Sequence, residues 1–167
     1  LALGFPGILN EIRVHRTPGI SRGQDDFYES CEIAYTALLR LLDRLAAEAE
    51  LAGGMQMKQV ADNLRNLARR APQTMHEAMQ LIFIFYFTVM RIEGTIVRSF
   101  GMLDRLLLPF YRADLQNGTH TEAQLRELLQ YFLYRIYAAN IGANLPFSLC
   151  GTDADGNDLT NELSYLI

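Results

Sequence analysis

The segment Pro72–Asp114, PQTMHEAMQLIFIFYFTVMRIEGTIVRSFGMLDRLLLPFYRAD, holds the most apolar run of the chain. It opens with a capping box, in which Thr74 caps the start of a helix while Glu77 reaches back. The run Leu81–Met90 would also suit a strand because it is rich in aromatic and β-branched residues, but the cap and the length favour a helix. A helix that is apolar all round is typical of a central helix, covered on every side.

The helical pattern ends at Gly94, and a second glycine follows at Gly101, so the residues between them are predicted to be extended or irregular. Residues 102–114 then read as an amphipathic helix, with Leu106 on its apolar face and with Pro109 predicting a kink or a break. His76, in the first turn of the long helix, is interpreted as a surface histidine.

Helical patterns also occupy most of the flanking chain. They cover residues 1–16, 25–51, 57–70, 121 to about 141, and 159–167. The spacing places Phe27 and Leu45 on the buried face of the second of these helices, and Tyr137 on the buried face of the fourth. Leu145–Gly151 (LPFSLCG) is short, apolar and bounded by turn residues, which predicts a buried strand. The predicted fold class is predominantly α-helical with one or two short strands.

Composition sets broad limits on function. The chain has 167 residues and a formal charge of −4, which gives no general attraction to nucleic acid or to an anionic membrane. Its longest uncharged run, Ala78–Met90, is shorter than the roughly 20 residues that a membrane-spanning helix needs. We therefore expect a single region, 1–167, with no nucleic-acid or membrane partner. The two cysteines show no disulfide or metal spacing, which favours a cytoplasmic setting.

No motif in the chain is sufficient to assign chemistry. Cys31 and Cys150 are interpreted as buried core thiols, with a catalytic role as the alternative for Cys150 at the end of the predicted strand. Asp153–Asp158 (DADGND) invites a calcium interpretation, but Gly156 falls at the fourth loop position instead of the sixth. A turn before the last helix is the preferred interpretation, and no metal site is predicted.

Several stretches share an order and spacing that points to one family. PQTMHEAMQ resembles a Pro-x-x-Phe-x-Glu-Ala-x-Gln signature, with Met75 in the Phe place. The pattern Ser-x-Gly-Arg-x-Asp is matched from Ser99 to Asp104, with Met102 in the Arg place, and Thr-Asn-x-Leu-Ser is matched from Thr160 to Ser164. The N-terminal LALGFPGILNEI is similar to a segment of the same proteins. Together these stretches resemble the glycyl radical enzymes, the family of pyruvate formate-lyase and the B12-independent glycerol dehydratase.

The resemblance implies a fold and a mechanism. The family fold is a ten-stranded α/β barrel inside a helical shell, and this chain looks like part of the shell with the first strands. In the family, a separate iron–sulfur, S-adenosylmethionine-dependent activating enzyme installs a radical on a C-terminal glycine. The radical passes to a cysteine, whose thiyl abstracts hydrogen from a small organic substrate. An activating enzyme, a small-molecule substrate and a homodimeric partner are thus the expected partners.

The family's substrate-contacting pair is His-Ser in glycerol dehydratase and Ala-Ala in pyruvate formate-lyase. It falls here at Ile96 and Val97, and the segment from Asn144 to Phe147 would also approach the pocket. Two branched apolar groups cannot hydrogen-bond a polyol, so an apolar or aromatic substrate is expected. Core packing is the alternative role for all four residues.

Neither cysteine matches the thiyl position, and the radical glycine has no counterpart in the chain. We therefore expect a fragment of a glycyl radical lyase, dehydratase or decarboxylase that binds no cofactor itself and is inactive alone. The alternative is an independent all-α binding or scaffold module. A closed, fully covered helical bundle would favour the module, whereas an incompletely paired strand and exposed apolar surface would favour the fragment.

Overall fold

The computed structural model describes residues 1–94 (for residue 93 the backbone only), 99–139 and 146–167. These residues form helices, two short strands and a final 3-10 helix. In chain order the elements are α1 (Gly4–His15), α2 (Arg22–Ala52), α3 (Met55–Arg69), α4 (Met75–Glu93), β1 (Gly101–Met102), α5 (Leu103–Asn117), α6 (Glu122–Ala138), β2 (Phe147–Ser148) and the 3-10 helix (Glu162–Tyr165). They divide into two compact units, Leu1–Pro72 and Gln73–Ile167. The predicted single region stays a prediction.

The first unit contains α1, α2 and α3, close to the predicted bounds. Ser21 caps α2 through a capping box with Gln24, and the helix ends at Gly53. Its core is apolar and is built from Phe5, Leu9, Leu42, Ala46, Ala49, Ala61, Leu64 and Leu67. The prediction was wrong for Phe27 and Leu45, which are 62% and 38% exposed. The buried residues of α2 are Leu42, Ala46 and Ala49, all in its C-terminal half. Phe27 lies near the start of α2, many residues before the first of them.

Gly4 allows the start of α1 to pack closely against the backbone after α3. Its φ is +60°, a backbone conformation that favours glycine, and a Cβ there would lie 2.9 Å from the Cα of Ala71. The start of α1 thus approaches the backbone that follows α3 too closely for any side chain.

The second unit begins with α4, which confirms the helical prediction for Leu81–Met90. The Thr74 hydroxyl accepts the N–H of Glu77 at 3.1 Å, whereas the Glu77 carboxylate accepts the N–H of Gln73 at 2.8 Å, one residue before the cap. The expectation that α4 is covered on every side was wrong for this chain, because Ile92 is 78% exposed and Phe85 and Phe87 are partly exposed.

Helices α5 and α6 follow with two departures from the sequence pattern. Pro109 lies inside α5 without breaking it, and Leu106 is partly exposed although it was predicted on the apolar face. A capping box of Thr121 and Gln124 starts α6. Tyr137 is 84% exposed, so its predicted burial was wrong: the core residues of α6 lie further back, at Leu125, Leu129 and Phe132.

The two strands pair in parallel, with Gly101 opposite Phe147 and Met102 opposite Ser148. The predicted buried strand at Leu145–Gly151 is shorter than expected, and both of its strand residues are exposed because it has β1 as its one described neighbour. The pairing also means that an all-α module does not describe this chain. No helix in the described residues is long and apolar enough to cross a membrane.

The predicted helix over Leu159–Ile167 was wrong. Asp158 accepts hydrogen bonds from the N–H and hydroxyl of Thr160, which holds that segment in a turn. Asn161 then caps a single 3-10 turn, Glu162–Tyr165, by accepting the N–H groups of Leu163 and Ser164.

Candidate functional site

The second unit brings α4 and both strands together at Ser99. The Ser99 hydroxyl donates to the carbonyl of Pro146 at 3.0 Å and accepts the N–H of Gly101 at 3.0 Å. The Phe100 N–H donates to the same Pro146 carbonyl at 3.1 Å, and the Tyr86 hydroxyl of α4 donates to the Ser99 carbonyl. The residues that enter β1 and β2 are thereby bonded to each other and to α4.

An aromatic cluster supports this arrangement. Phe100 is buried, and its ring packs on Tyr86 at 4.5 Å between centroids and on Phe132 of α6 at 6.0 Å. Both distances fall in the range of favourable aromatic pairs. The residue between Ser99 and β1 therefore also contacts α4 and α6.

Asp104, in the first turn of α5, is fully buried and binds the chain that follows β2. Its Oδ1 accepts the N–H of Arg105 at 2.8 Å, and its Oδ2 accepts the N–H of Cys150 at 2.8 Å together with the Ser164 hydroxyl. The amide of Asn161 lies 3.4 Å from the same oxygen. We call these residues the Asp104 cluster.

Hydrogen bonds keep Asp104 ionised in this buried position. Burial by itself raises the pKa of a carboxyl group, but the bonds from Ser164, Cys150 and Arg105 outweigh it and hold the pKa of Asp104 below its usual value. Because donors occupy both oxygens, Asp104 serves as a structural acceptor and not as a general base.

Cys150 adopts a backbone conformation that is unusual for a residue with a side chain. Its φ is +60°, and Gly151 follows with a φ of +99°. A Cβ on Gly151 would lie 3.2 Å from the Cε of Met102, so glycine also suits the packing against β1. Cys150 and Cys31 are both half-buried, which corrects the prediction of fully buried thiols.

A second buried carboxylate, Asp114, joins the end of α5 to the start of α4. Its Oδ2 accepts the N–H of Met75 at 2.9 Å and lies 3.1 Å from Nδ1 of His120. His76 is half-buried beside this pair, so the prediction of a surface histidine was wrong. Burial, followed by the charge of His120, lowers the pKa of His76.

The predicted substrate residues fall mostly outside the described part of the chain. Ile96, Val97 and Asn144 lie there, so their role stays a prediction. Phe147 is described: it lies on β2 opposite Gly101 and is 37% exposed. Its proposed contact with substrate is untested.

The loop at Asp153 is a turn, as expected. The Oδ1 of Asp153 accepts the N–H groups of Asp155 and Asn157, both at 2.9 Å, and the Asn157 side chain donates to Oδ2 at 2.8 Å. Across residues 1–94, 99–139 and 146–167, no group of three His, Cys, Asp or Glu side chains could hold a metal ion.

The sequence patterns gave no role to the two buried aspartates. Asp104 falls at the end of the motif that begins at Ser99, and α5 itself carries a physical signal for both aspartates. Asp104 and Asp114 lie on the same face of α5 as Leu107 and Tyr111, so two carboxylates interrupt an apolar stripe. Acids at such positions are rarely buried without hydrogen-bond partners.

Comparison with known proteins gives the family. The family model described as pyruvate formate lyase-like matches residues 1–167. A (2S)-3-sulfopropanediol dehydratase from Klebsiella oxytoca is 28% identical over an alignment that covers the whole chain and 24% of that protein. The 4-hydroxyphenylacetate decarboxylase glycyl radical subunit of Clostridioides difficile (strain CD196) is 25% identical over 72% of the chain and 15% of its own length. The chain thus spans about a quarter or less of the length of these relatives.

Solved structures agree on the fold. A glycyl radical enzyme from Archaeoglobus fulgidus superposes with a TM-score of 0.83 at 24% identity, over 98% of this chain and 24% of its own. The B12-independent glycerol dehydratase from Clostridium butyricum gives a TM-score of 0.80 at 20% identity, again over 98% of this chain and 24% of its own. Since the family model covers every residue, the chain belongs to the pyruvate formate lyase-like glycyl radical enzymes.

Proposed function

We propose that this chain is the part of a glycyl radical lyase, either a dehydratase or a decarboxylase, that supplies helical shell and the first two strands of the α/β barrel. The match of the family model over residues 1–167 is the observation that carries the proposal. The parallel pairing of β1 with β2 supports it, because neighbouring strands of an α/β barrel are typically parallel.

The substrate pocket is proposed to lie beside the strand pair, at the end where the strands begin. The two parallel strands start level with each other, and the residues just before them, Ser99 and Pro146, are joined by a hydrogen bond of 3.0 Å. Ile96 and Val97 come shortly before Ser99 in the chain, and Asn144 comes shortly before Pro146. With Phe147 they are the proposed substrate-binding residues.

An apolar or aromatic substrate fits these residues better than a polyol. Ile96 and Val97 offer no hydrogen-bond donor or acceptor in their side chains, and Phe147 adds an aromatic ring. One of the relatives is named as a decarboxylase of 4-hydroxyphenylacetate, which is an aromatic acid.

The catalytic groups are proposed to lie on polypeptide outside these 167 residues. A thiyl-forming cysteine, a neighbouring glutamate and a glycine activated by a separate iron–sulfur, S-adenosylmethionine enzyme would supply the radical chemistry. This chain would contribute substrate positioning, and alone it would be inactive. Cytoplasmic location and a homodimeric assembly belong to the same proposal.

The first test is the complete coding sequence around this chain. We expect a downstream cysteine followed closely by glutamate, and a C-terminal glycine loop similar to Arg-Val-x-Gly-Tyr. Absence of both elements would remove the enzyme proposal, whatever the substrate.

The second test addresses the substrate class in the complete, activated protein. Activity is measured with 4-hydroxyphenylacetate and with 1,2-propanediol, before and after the paired substitution Ile96→His and Val97→Ser. We expect the pair to lower kcat/KM for the aromatic acid by about tenfold or more, as a lost apolar contact of roughly 1–3 kcal/mol would. Unchanged kinetics with both compounds would show that neither residue contacts substrate.

A further inference from the structure

Four titratable side chains gather at the first turn of α4. Glu77 and Asp114 are buried, the His120 side chain is 13% exposed, and His76 is half-buried. We call these four residues the histidine cluster. It is separate from the strand pair and from the Asp104 cluster, and the proposed function gives it no role.

A single oxygen connects three parts of the second unit within the histidine cluster. Asp114 lies near the end of α5, and its Oδ2 accepts the N–H of Met75, the first residue of α4, at 2.9 Å. The same oxygen lies 3.1 Å from Nδ1 of His120, which precedes α6. A change of charge at this point therefore acts on α4, α5 and the turn between α5 and α6 at once.

The environment of His76 opposes a positive charge. Its side chain is partly withdrawn from water, it lies at the positive end of the α4 dipole, and it lies near His120. Glu77 from α4 and Asp114 from α5 act in the opposite direction, but burial first and His120 second lower the pKa of His76 on balance.

We propose that the histidine cluster is a pH-sensitive junction: a proton on His76, next to the residue whose N–H binds Asp114, loosens the first turn of α4 from α5 and from the turn before α6. Because the folded-state pKa of His76 is lowered, the unfolded chain binds this proton more readily than the folded chain does. The stability contribution of neutral His76 is therefore fully present above about pH 6.5 and is lost as the pH falls through the folded pKa.

The direct test is an NMR titration of the histidine side chains in the intact chain. We expect the midpoint of His76 to lie below the ordinary value of about 6.5. His120→Gln removes the neighbouring imidazole, whose interaction lowers the pKa of His76, and should raise that midpoint. His15→Gln is the matched control, because the His15 ring is bonded to the carbonyl of Glu11 within α1. A His76 midpoint at or above 6.5, or one that His120→Gln leaves unchanged, would overturn the proposal.

Thermal unfolding gives an independent readout. We expect the Tm of the intact chain to fall by a few degrees between pH 7.5 and pH 5.5, and His76→Gln to remove most of that loss. If His76→Gln retains the full loss, His76 is not the sensor. If that variant does not fold, the titration of the unsubstituted chain still decides, since it needs no substitution.

Discussion

The two units of this chain are stabilised in different ways. In Leu1–Pro72 the core is apolar, and the described ion pairs, such as those of Arg16 with Asp25 and Glu29, lie at the surface. In Gln73–Ile167 the buried set also includes Glu77, Asp104 and Asp114. The comparison shows that helix packing suffices for the first unit. In the second unit, strands and irregular segments meet helices. Some backbone N–H groups there have no acceptor within a helix or a β-sheet, so buried carboxylates accept their hydrogen bonds.

The largest effect is expected from Asp104→Ala. The substitution leaves the N–H groups of Cys150 and Arg105 and the hydroxyl of Ser164 without their acceptor. At about 1–2 kcal/mol for each of the three unsatisfied donors, the cost is about 3–6 kcal/mol. Chemical denaturation measures it, and hydrogen exchange should show the loss of protection in Gln73–Ile167.

The same carboxyl group predicts a pH dependence. Because the folded-state pKa of Asp104 is lowered, its contribution to stability is present above about pH 3.9 and is lost as the pH falls through the folded pKa. The gap in stability between wild type and Asp104→Ala should therefore narrow in strong acid. An equal gap at pH 7 and at pH 2 would mean that the ionised form is not what the cluster stabilises.

A smaller loss is expected in the first unit from Leu67→Ala. Leu67 is fully buried on α3, so the substitution leaves a cavity and costs about 3 kcal/mol. This loss should not depend on pH, in contrast to that of Asp104→Ala. A pH-dependent loss would show that the core of the first unit is coupled to a titrating group.

Asp114→Ala is expected to cost about 2–4 kcal/mol, because it leaves two donors, the N–H of Met75 and the ring of His120, without their acceptor. Hydrogen exchange at the first turn of α4 is the appropriate probe. If Asp114→Ala destabilised the chain as much as Asp104→Ala, the number of hydrogen bonds lost would not determine the difference in stability between the two variants.

The smallest effect on stability is expected at the pair of Arg112 and Glu162. Two hydrogen bonds, of 2.6 and 3.0 Å, join the guanidinium to the carboxylate and lower the pKa of Glu162 to about 2. Both side chains are largely exposed, so water screens their attraction. Arg112→Gln should raise the pKa of Glu162 towards its ordinary value in an NMR titration while the Tm at pH 7 stays nearly constant.

Much of the fold follows from local sequence signals. Thr74 caps the start of α4 as expected, and Thr121 caps the start of α6. Gly53 and Gly118 lie at the ends of α2 and α5. These signals act over a few residues, which is why a single sequence reveals them. The prediction that Tyr137 is buried was wrong because periodicity identifies the apolar face of a helix. It does not show how much of the helix length is packed against other elements.

The site was less predictable because its contacts join residues distant in sequence. The bond between Asp104 and Ser164 spans 60 residues, and that between Ser99 and Pro146 spans 47. No local pattern encodes such pairings. The family motifs include Ser99, Asp104 and Ser164, and the structure shows what each bonds to: Ser99 bonds to Pro146, and Asp104 bonds to Ser164.

The central claim is that ionised Asp104 accepts the N–H of Cys150 and so holds the end of β2 against α5. The most direct measurement is the NMR shift of the Cys150 amide proton from pH 7 towards acid. We expect a protected amide whose shift titrates with a midpoint below the ordinary aspartate value of about 3.9. An amide that exchanges freely at pH 7, or a midpoint at or above 3.9, would contradict it.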